Sequence, residues 1–408
     1  MNANIFSAQS IICCDNFPPA FDFFTCKLGF RVKSIFPADN PQTADLIGYG
    51  LQLRLVLNSS RDKSVINLVC KEPWVFGGKE IGNSVFELEA PNGTIFTMTP
   101  ADDVLILPAL KEEYIVSHLT HEDSTLWTIG RAGLRYRDLV PGRLGGRYIA
   151  SHIHIPVGGP VADYVHFHKV KFQMIFCFKG WVKVVYEDQG EPFVLQEGDC
   201  VTQPPQIRHR VLEASDDLQV IEVGCPAVHL TIADFDISLP NVDMNSGRVW
   251  ENQKFVRFQS SLCPLQSLES VSEREPSDED HMSVENTRVS RVRTKPSVVC
   301  GLSQWSYKET GIWEGTGGVA SCVVLRATAS SPLDTDTRVS CPWKHDADFL
   351  LLFVLAGSVT LRLFDNEEDE HGRIESLVEG SSVCIPSTMG FCFHDWIVQT
   401  EVLEISVL

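Results

Sequence analysis

The chain has 408 residues, 44% hydrophobic and 21% charged, an ordinary soluble composition and too long for one small core. Its 53 acidic against 34 basic residues give a net charge of −19, which argues against nucleic acid and anionic membrane as partners, because like charges repel. The 13 cysteines are odd in number and lack Cys-x-x-Cys spacing, so they read as reduced thiols of a cytoplasmic protein rather than a disulfide framework. The N-terminal "MNANIFSAQSIICCDN" has no basic stretch followed by a sustained apolar core, and no apolar run approaches the roughly 20 residues that span a bilayer.

In chain order, residues 1–130 read as a small α+β module. "PPAFDFFTCKLGFRVKSIFPAD" places Ala20, Phe21, Phe24 and Leu28 on one helical face, with Gly29 ending the helix before the strand "FRVKSIF". "YGLQLRLVL" reads as a further strand. Residues 131–258 and 297–408 are rich in Val, Ile and Phe runs punctuated by Gly and Pro, the pattern of an all-β barrel or sandwich. Between them, residues 259–296 are rich in Ser, Glu, Asp, Arg and Pro and poor in aromatics. Such a segment buries too little apolar surface to offset its ordering entropy and reads as a flexible linker.

The two β regions echo one another in three places and in the same order. "GLRYRDLVPGRLGGRYIASHI" parallels "GLSQWSYKETGIWEGTGGVASCVV". "FQMIFCFKGWVKVVYED" parallels "FLLLFVLAGSVTLRLFD", with Gly180 matching Gly357. "LQEGDCVTQPPQIRH" parallels "LVEGSSVCIPSTMGF", with Gly198 matching Gly380 and Pro204 matching Pro386. Ordered similarity of this kind indicates a duplicated domain.

The chemistry concentrates in "DYVHFHKVKFQMIFCFKG". Strand alternation has period two, so His166 and His168 share a face. Paired imidazoles with Gln173 nearby are how a transition-metal site begins. The stretch resembles the first cupin signature, G-x5-H-x-H-x3,4-E-x6-G: His166 and His168 take the histidine positions, Gln173 the glutamate and Gly180 the closing glycine, with Gly159 one residue out of register. Gly198, Pro204 and His209 meet the second signature, G-x5-P-x-G-x2-H-x3-N, with Gln206 and Glu213 in place of its glycine and asparagine.

That resemblance implies two jelly-roll cupin barrels and one divalent transition metal in the first. Its ligands would be His166, His168, His209 and Gln173. Three neutral imidazoles suit Fe, Mn, Ni, Zn or Cu, and they leave positions open for water or substrate. An amide in place of the family's carboxylate leaves the centre at +2, which favours an anionic or enolised substrate. Tyr164, Tyr186, Arg208 and Arg210 are candidates for a hydroxyl or positive charge at the mouth. His152 and His154 alternate onto one face of the preceding strand.

In the second barrel the corresponding positions are Trp343, His345, Leu350 and Phe391, with His394 three residues on, so that site reads as lost. The N-terminal module resembles the vicinal-oxygen-chelate family through "FDFFTCKLGFRV" and "APNGTIFTM". Thr97 stands where that family's metal-binding glutamate would be, and Gln9 takes the first-strand position, so the module reads as degenerate.

The resemblance implies a metal-dependent enzyme, foremost a non-haem Fe(II) dioxygenase of a small enolisable, phenolic or anionic substrate. Gln173, His152 and Tyr186 are its candidate catalytic residues. A non-redox lyase or isomerase using Zn, Mn or Ni, and a non-catalytic small-molecule binder, remain open alternatives. The expected partner is a small molecule, with homo-oligomerisation open.

Overall fold

The computed structural model describes residues 5–27, 29–48, 50–58, 65–82, 84–89, 95–101, 105–119, 127–130, 133–242, 244–245, 247–267, 304–331, 344–365 and 371–408. Strands dominate these residues, and no helix among them is long and apolar enough to cross a membrane. Every described cysteine is a free thiol.

The N-terminal unit repeats one strand order. Ile5–Cys14, a helix at Phe17–Asp22 and the strands Arg31–Phe36, Thr43–Gly48 and Leu51–Leu57 come first, with the first strand parallel to the last. Val65–Cys70, a 3-10 turn at Pro73–Phe76 and the strands Lys79–Gly82, Val85–Glu89 and Ile95–Pro100 follow, again with the first parallel to the last. The expected amphipathic helix is short, because it widens into a π-turn at Phe23–Lys27. The amide of Phe30 then reaches back to the Phe24 carbonyl at 2.9 Å, across Gly29 at φ 74°, a conformation that favours glycine. Phe17, Ala20, Phe21 and Phe24 pack on Val32, Leu46 and Leu55, whereas Leu28 lies outside the described residues.

Two jelly rolls follow with matching strand order, so the chain is mainly β and duplicated. In the first, Ile149–Ile155, Leu218–Cys225, Phe172–Lys179 and Cys200–Thr202 lie side by side; in the second, Ala320–Ala327, Glu401–Val407, Phe349–Ala356 and Ser382–Cys384 do the same. The facing sheets correspond as well. Phe193–Gln196, Trp181–Tyr186 and His209–Ala214 match Arg373–Val378, Ser358–Phe364 and Gly390–Trp396.

Phe172, Met174, Phe176 and Phe178 turn out of the first jelly roll and pack against Phe349, Leu351 and Phe353 of the second. The strands that carry them are therefore buried on both faces, which is why they read as near-continuous apolar runs. Gln173 is the one polar interruption within Phe172–Phe178.

Long-range pairing crosses the boundaries expected from sequence. Ile115–Ser117, inside the segment 1–130, pairs with Ser382–Cys384 of the second jelly roll, and Thr128–Ile129 pairs with Arg135–Asp138 of the first. Arg31–Phe36 pairs with Thr231–Ala233, which joins the N-terminal sheet to the first jelly roll. Ser260–Leu262 forms a 3-10 turn, and Gln266–Ser267 pairs with Trp305–Glu309, so the first residues of the segment 259–296 belong to the second sheet. The rest of that segment, from residue 268, lies outside the described residues.

Candidate metal centre

Two adjacent strands bring three histidines together. His166 and His168 project from one face of the strand His166–His168, and His209 opens the neighbouring strand directly opposite His166. Potential ligand atoms of the three lie within 4.8 Å of one another, and all three side chains are buried. Ring centroids are 4.3 Å apart for His166 and His209, and 5.1 Å for each of the other two pairs. The turn before His209 is held by the amide of Gln206 on the His168 carbonyl at 3.1 Å. Gln206 adopts φ 64°, which explains why the motif prefers glycine there.

The surrounding hydrogen bonds orient the imidazoles. Nδ1 of His166 donates to the Tyr164 carbonyl at 2.8 Å, and Nδ1 of His209 donates to the Ile207 carbonyl at 3.0 Å. Carbonyl oxygens only accept, so in the neutral rings the lone pair falls on Nε2. Nδ1 of His168 lies 3.0 Å from the Thr231 hydroxyl. Asp163 Oδ1 approaches His166 Nδ1 at 3.5 Å, while its Oδ2 accepts the Val211 amide at 2.9 Å. Such outer partners fix ring orientation and raise ligand basicity in metal sites.

Gln173 stands on the opposite sheet, on the same strand face as Ile175, which lines the cavity in front of the histidines. Its amide Nε2 donates to Glu222 Oε1, and its Oε1 is buried without a hydrogen-bond partner. The three imidazole lone pairs form a donor set that fits a divalent transition metal, and these histidines would hold the ion.

Glu222, on another strand, adds its carboxyl group to the lining of the same cavity. Sequence reasoning missed it, because no motif position marks it.

Tyr186 lines the same cavity. Its ring stacks on His209 at 5.4 Å, and its hydroxyl accepts from Gln203 Nε2 at 2.8 Å. Burial raises its pKa, and the nearby Glu222 raises it further, so the phenol stays protonated. His229, also missed, lies 5.3 Å from the His168 ring and lines the cavity. Pro37, Ala38 and Asp39 of the N-terminal unit line it too, and Arg143 holds Asp39 in an ion pair. The cavity volume is about 130 Å³.

His152 does not reach this site. It alternates with Ser151 and Ile153, which line the cavity, so its ring faces the other way, into the contact between jelly rolls. There it meets Arg137 at 3.2 Å, Gln219 at 2.8 Å and the Phe353 ring at 5.9 Å. Burial and the Arg137 charge push its pKa down to about 3. His154 shares that face and lies 2.6 Å from Asp217.

The arginines do not supply a cavity charge either. Arg208 pairs with Asp234 at 2.9 Å and covers Phe167, and Arg210 is exposed, since both alternate out of phase with His209 and Val211. Tyr164 packs with the N-terminal core, and its ring lies 5.8 Å from that of His166.

In the second jelly roll the corresponding interior is filled by apolar side chains, among them Trp305, Leu350, Phe391 and Trp396. His345 Nε2 engages the Ile385 carbonyl at 2.9 Å, His394 lies 3.5 Å from Arg362, and Trp343 is outside the described residues. In the N-terminal unit, Gln9 donates to Asp45 at 2.8 Å within a network with Ser34 and Arg54, and Thr97 is half-buried. Among the described residues the trio of His166, His168 and His209 is the one cluster with metal-ligand geometry.

Residues 151–224 match the family described as Cupin domain. No curated protein matches the chain. Among solved structures, a variant of salicylate 1,2-dioxygenase from Pseudoaminobacter salicylatoxidans is 16% identical, with TM-score 0.45 over 74% of this chain and 86% of that one. A variant of oxalate decarboxylase from B. subtilis is 13% identical, with TM-score 0.42 over 72% of this chain and 77% of that one.

Proposed function

We propose that the protein is a metal-dependent enzyme of the non-haem Fe(II) dioxygenase type, acting on a small enolisable or phenolic substrate. The observation that carries this reading is the set of three buried histidines whose Nδ1 atoms are engaged outward while their rings converge on a cavity. A divalent metal held there would supply Lewis acidity and, as iron, the redox capacity that dioxygen chemistry requires.

The protein's own groups arrange the rest. Glu222 is placed to accept a hydrogen bond from a substrate hydroxyl, and Gln173 holds that carboxylate in place through its amide. Tyr186, kept protonated by its burial and oriented by Gln203, presents a polar edge to a cavity lined largely by aliphatic side chains. Those aliphatic walls exclude bulk water, which strengthens each polar contact inside.

We also read the N-terminal unit as vicinal-oxygen-chelate-like and non-catalytic. Its twofold order of strand, helical turn and three strands supports this, as does the commitment of Gln9 to Asp45.

Elemental analysis of protein purified without added metal tests the centre. About one equivalent of divalent metal is expected per chain, falling at least tenfold in His166→Ala and His209→Ala while the fold persists. Unchanged metal in either variant would remove the centre. Oxygen uptake by the iron-loaded protein with phenolic or 1,3-dicarbonyl compounds then tests the reaction class.

A further inference from the structure

The N-terminal sheet packs one face on its helix, through Val32, Leu46 and Leu55. Its other face carries Ser34, Phe36, Asp45 and Arg54, which line a cleft of about 870 Å³. The first jelly roll contributes Pro226, Val228, His229 and Leu230 to the same cleft. His229 also lines the smaller cavity in front of the metal-site histidines, together with its neighbour Ala227. On the N-terminal side, Phe36 belongs to the cleft and the next residue, Pro37, to the cavity. The two spaces therefore share a partition, and the His229 ring is part of it. The loop that carries this ring is anchored on either side, by the Ala227 amide on the Gly146 carbonyl at 3.1 Å and by the Leu230 carbonyl on the Lys169 amide at 3.0 Å. The ring itself donates from Nδ1 to the Pro226 carbonyl at 3.0 Å. Among the described residues that is its one hydrogen bond, so a single contact holds the partition ring in place.

From this we infer that the cavity and the cleft are two parts of one ligand site joined at His229, and that its ligand is elongated, with a head of about one ring at the histidines and an apolar arm in the cleft. The inference rests on the proposed function for the chemistry of the head. It deepens that reading by naming the ligand class and by giving the N-terminal unit a binding role. Size sets the division. A cavity of roughly 150 Å³ holds benzene, so the 130 Å³ in front of the histidines accommodates a ring and little more. A substituent on that ring finds room only beyond the partition. The apolar character of the arm follows from the side chains it meets there. Val228 and Leu230 flank His229 in sequence, and they line the cleft with Phe36 and with Trp74, which is 56% exposed. Each methylene taken out of water against such a wall is worth up to about fourfold in affinity.

Phenol and 4-pentylphenol, alike in head and different in arm, are the probes. Binding is measured by calorimetry on the full chain, both metal-stripped and loaded with Co(II), with metal content assayed separately. The expected result is one ligand per chain, with 4-pentylphenol bound at least tenfold tighter than phenol. Trp74→Ala, which shortens the cleft wall, and His229→Trp, which fills the junction, should each narrow that ratio at least threefold. Equal affinities for the two probes would overturn the inference, as would failure of both to bind. An advantage for 4-pentylphenol that both variants leave intact would mean that the arm lies elsewhere, and would overturn it too. A ratio that narrows in the variants of a protein that holds no metal would retain the joined site and refute the metal reading. Trp74 is an exposed side chain, so Trp74→Ala decides the matter even where His229→Trp fails to fold.

Discussion

At the scale of single residues, the exchange at position 173 decides how the site is built. Gln173 gives its amide hydrogen to Glu222, so the pair divides donor and acceptor between two strands. Gln173→Glu removes that donor and sets two carboxylates face to face, each disfavouring ionisation of the other. The metal-free variant should lose on the order of 2 kcal/mol of stability, from a lost charge-assisted bond and an unmatched buried acid. Adding Glu222→Gln reverses the polarity of the pair and should restore most of the loss. Denaturant unfolding of both single variants and the double variant measures the coupling. Additive effects would mean that the two side chains do not act as a pair. The histidine trio was legible in the sequence because its spacing is local within two motifs. Glu222, Asp163 and His229 were not, because each reaches the cavity through register or loop path rather than through a spaced pattern.

Strand parity governs what each element contributes. Ile149–Ile155 turns Ser151 and Ile153 toward the cavity and His152 toward the second jelly roll. The sequence shows that His152 and His154 share a face but carries no sign of which face is interior, and a one-residue shift exchanges them. Here both sides of the strand are buried, so alternation of polarity gives no guide. The consequence is a pH dependence with a definite sign. The folded state holds His152 neutral down to about pH 3, whereas the unfolded chain protonates it near 6.5. Between those values the unfolded state binds more protons, so stability present above pH 6.5 is lost as pH falls toward 3. His152→Gln has no such proton to take up. It should be less stable than wild type at pH 7.5, and the two should converge as pH drops to about 5. Parallel thermal melting curves over that range would show that His152 does not carry the dependence.

For the whole molecule, the two jelly rolls read in the sequence as separate units joined by a linker, and the structure ties them together far from that connection. Phe172, Met174, Phe176 and Phe178 share one apolar core with Phe349, Leu351 and Phe353. Ile115–Ser117 is a strand of the second jelly roll although it precedes the first in sequence, a pairing across about 265 residues that no local pattern announces. Arg137, with its pKa lowered to about 10 by burial, donates to the Gly380 carbonyl at 2.6 Å, and Lys179 pairs with Glu379. A Ser-, Glu- and Arg-rich composition makes residues 268–296 the expected first target of trypsin, at Arg274, Arg288, Arg291 or Arg293. A cut there removes the covalent tether and leaves the shared core and the crossing strand in place. Limited trypsin treatment should therefore give two fragments on a denaturing gel and one species, at the elution volume of the intact chain, in size-exclusion chromatography. Units held by the linker alone would separate on the column, and their separation would refute the common core.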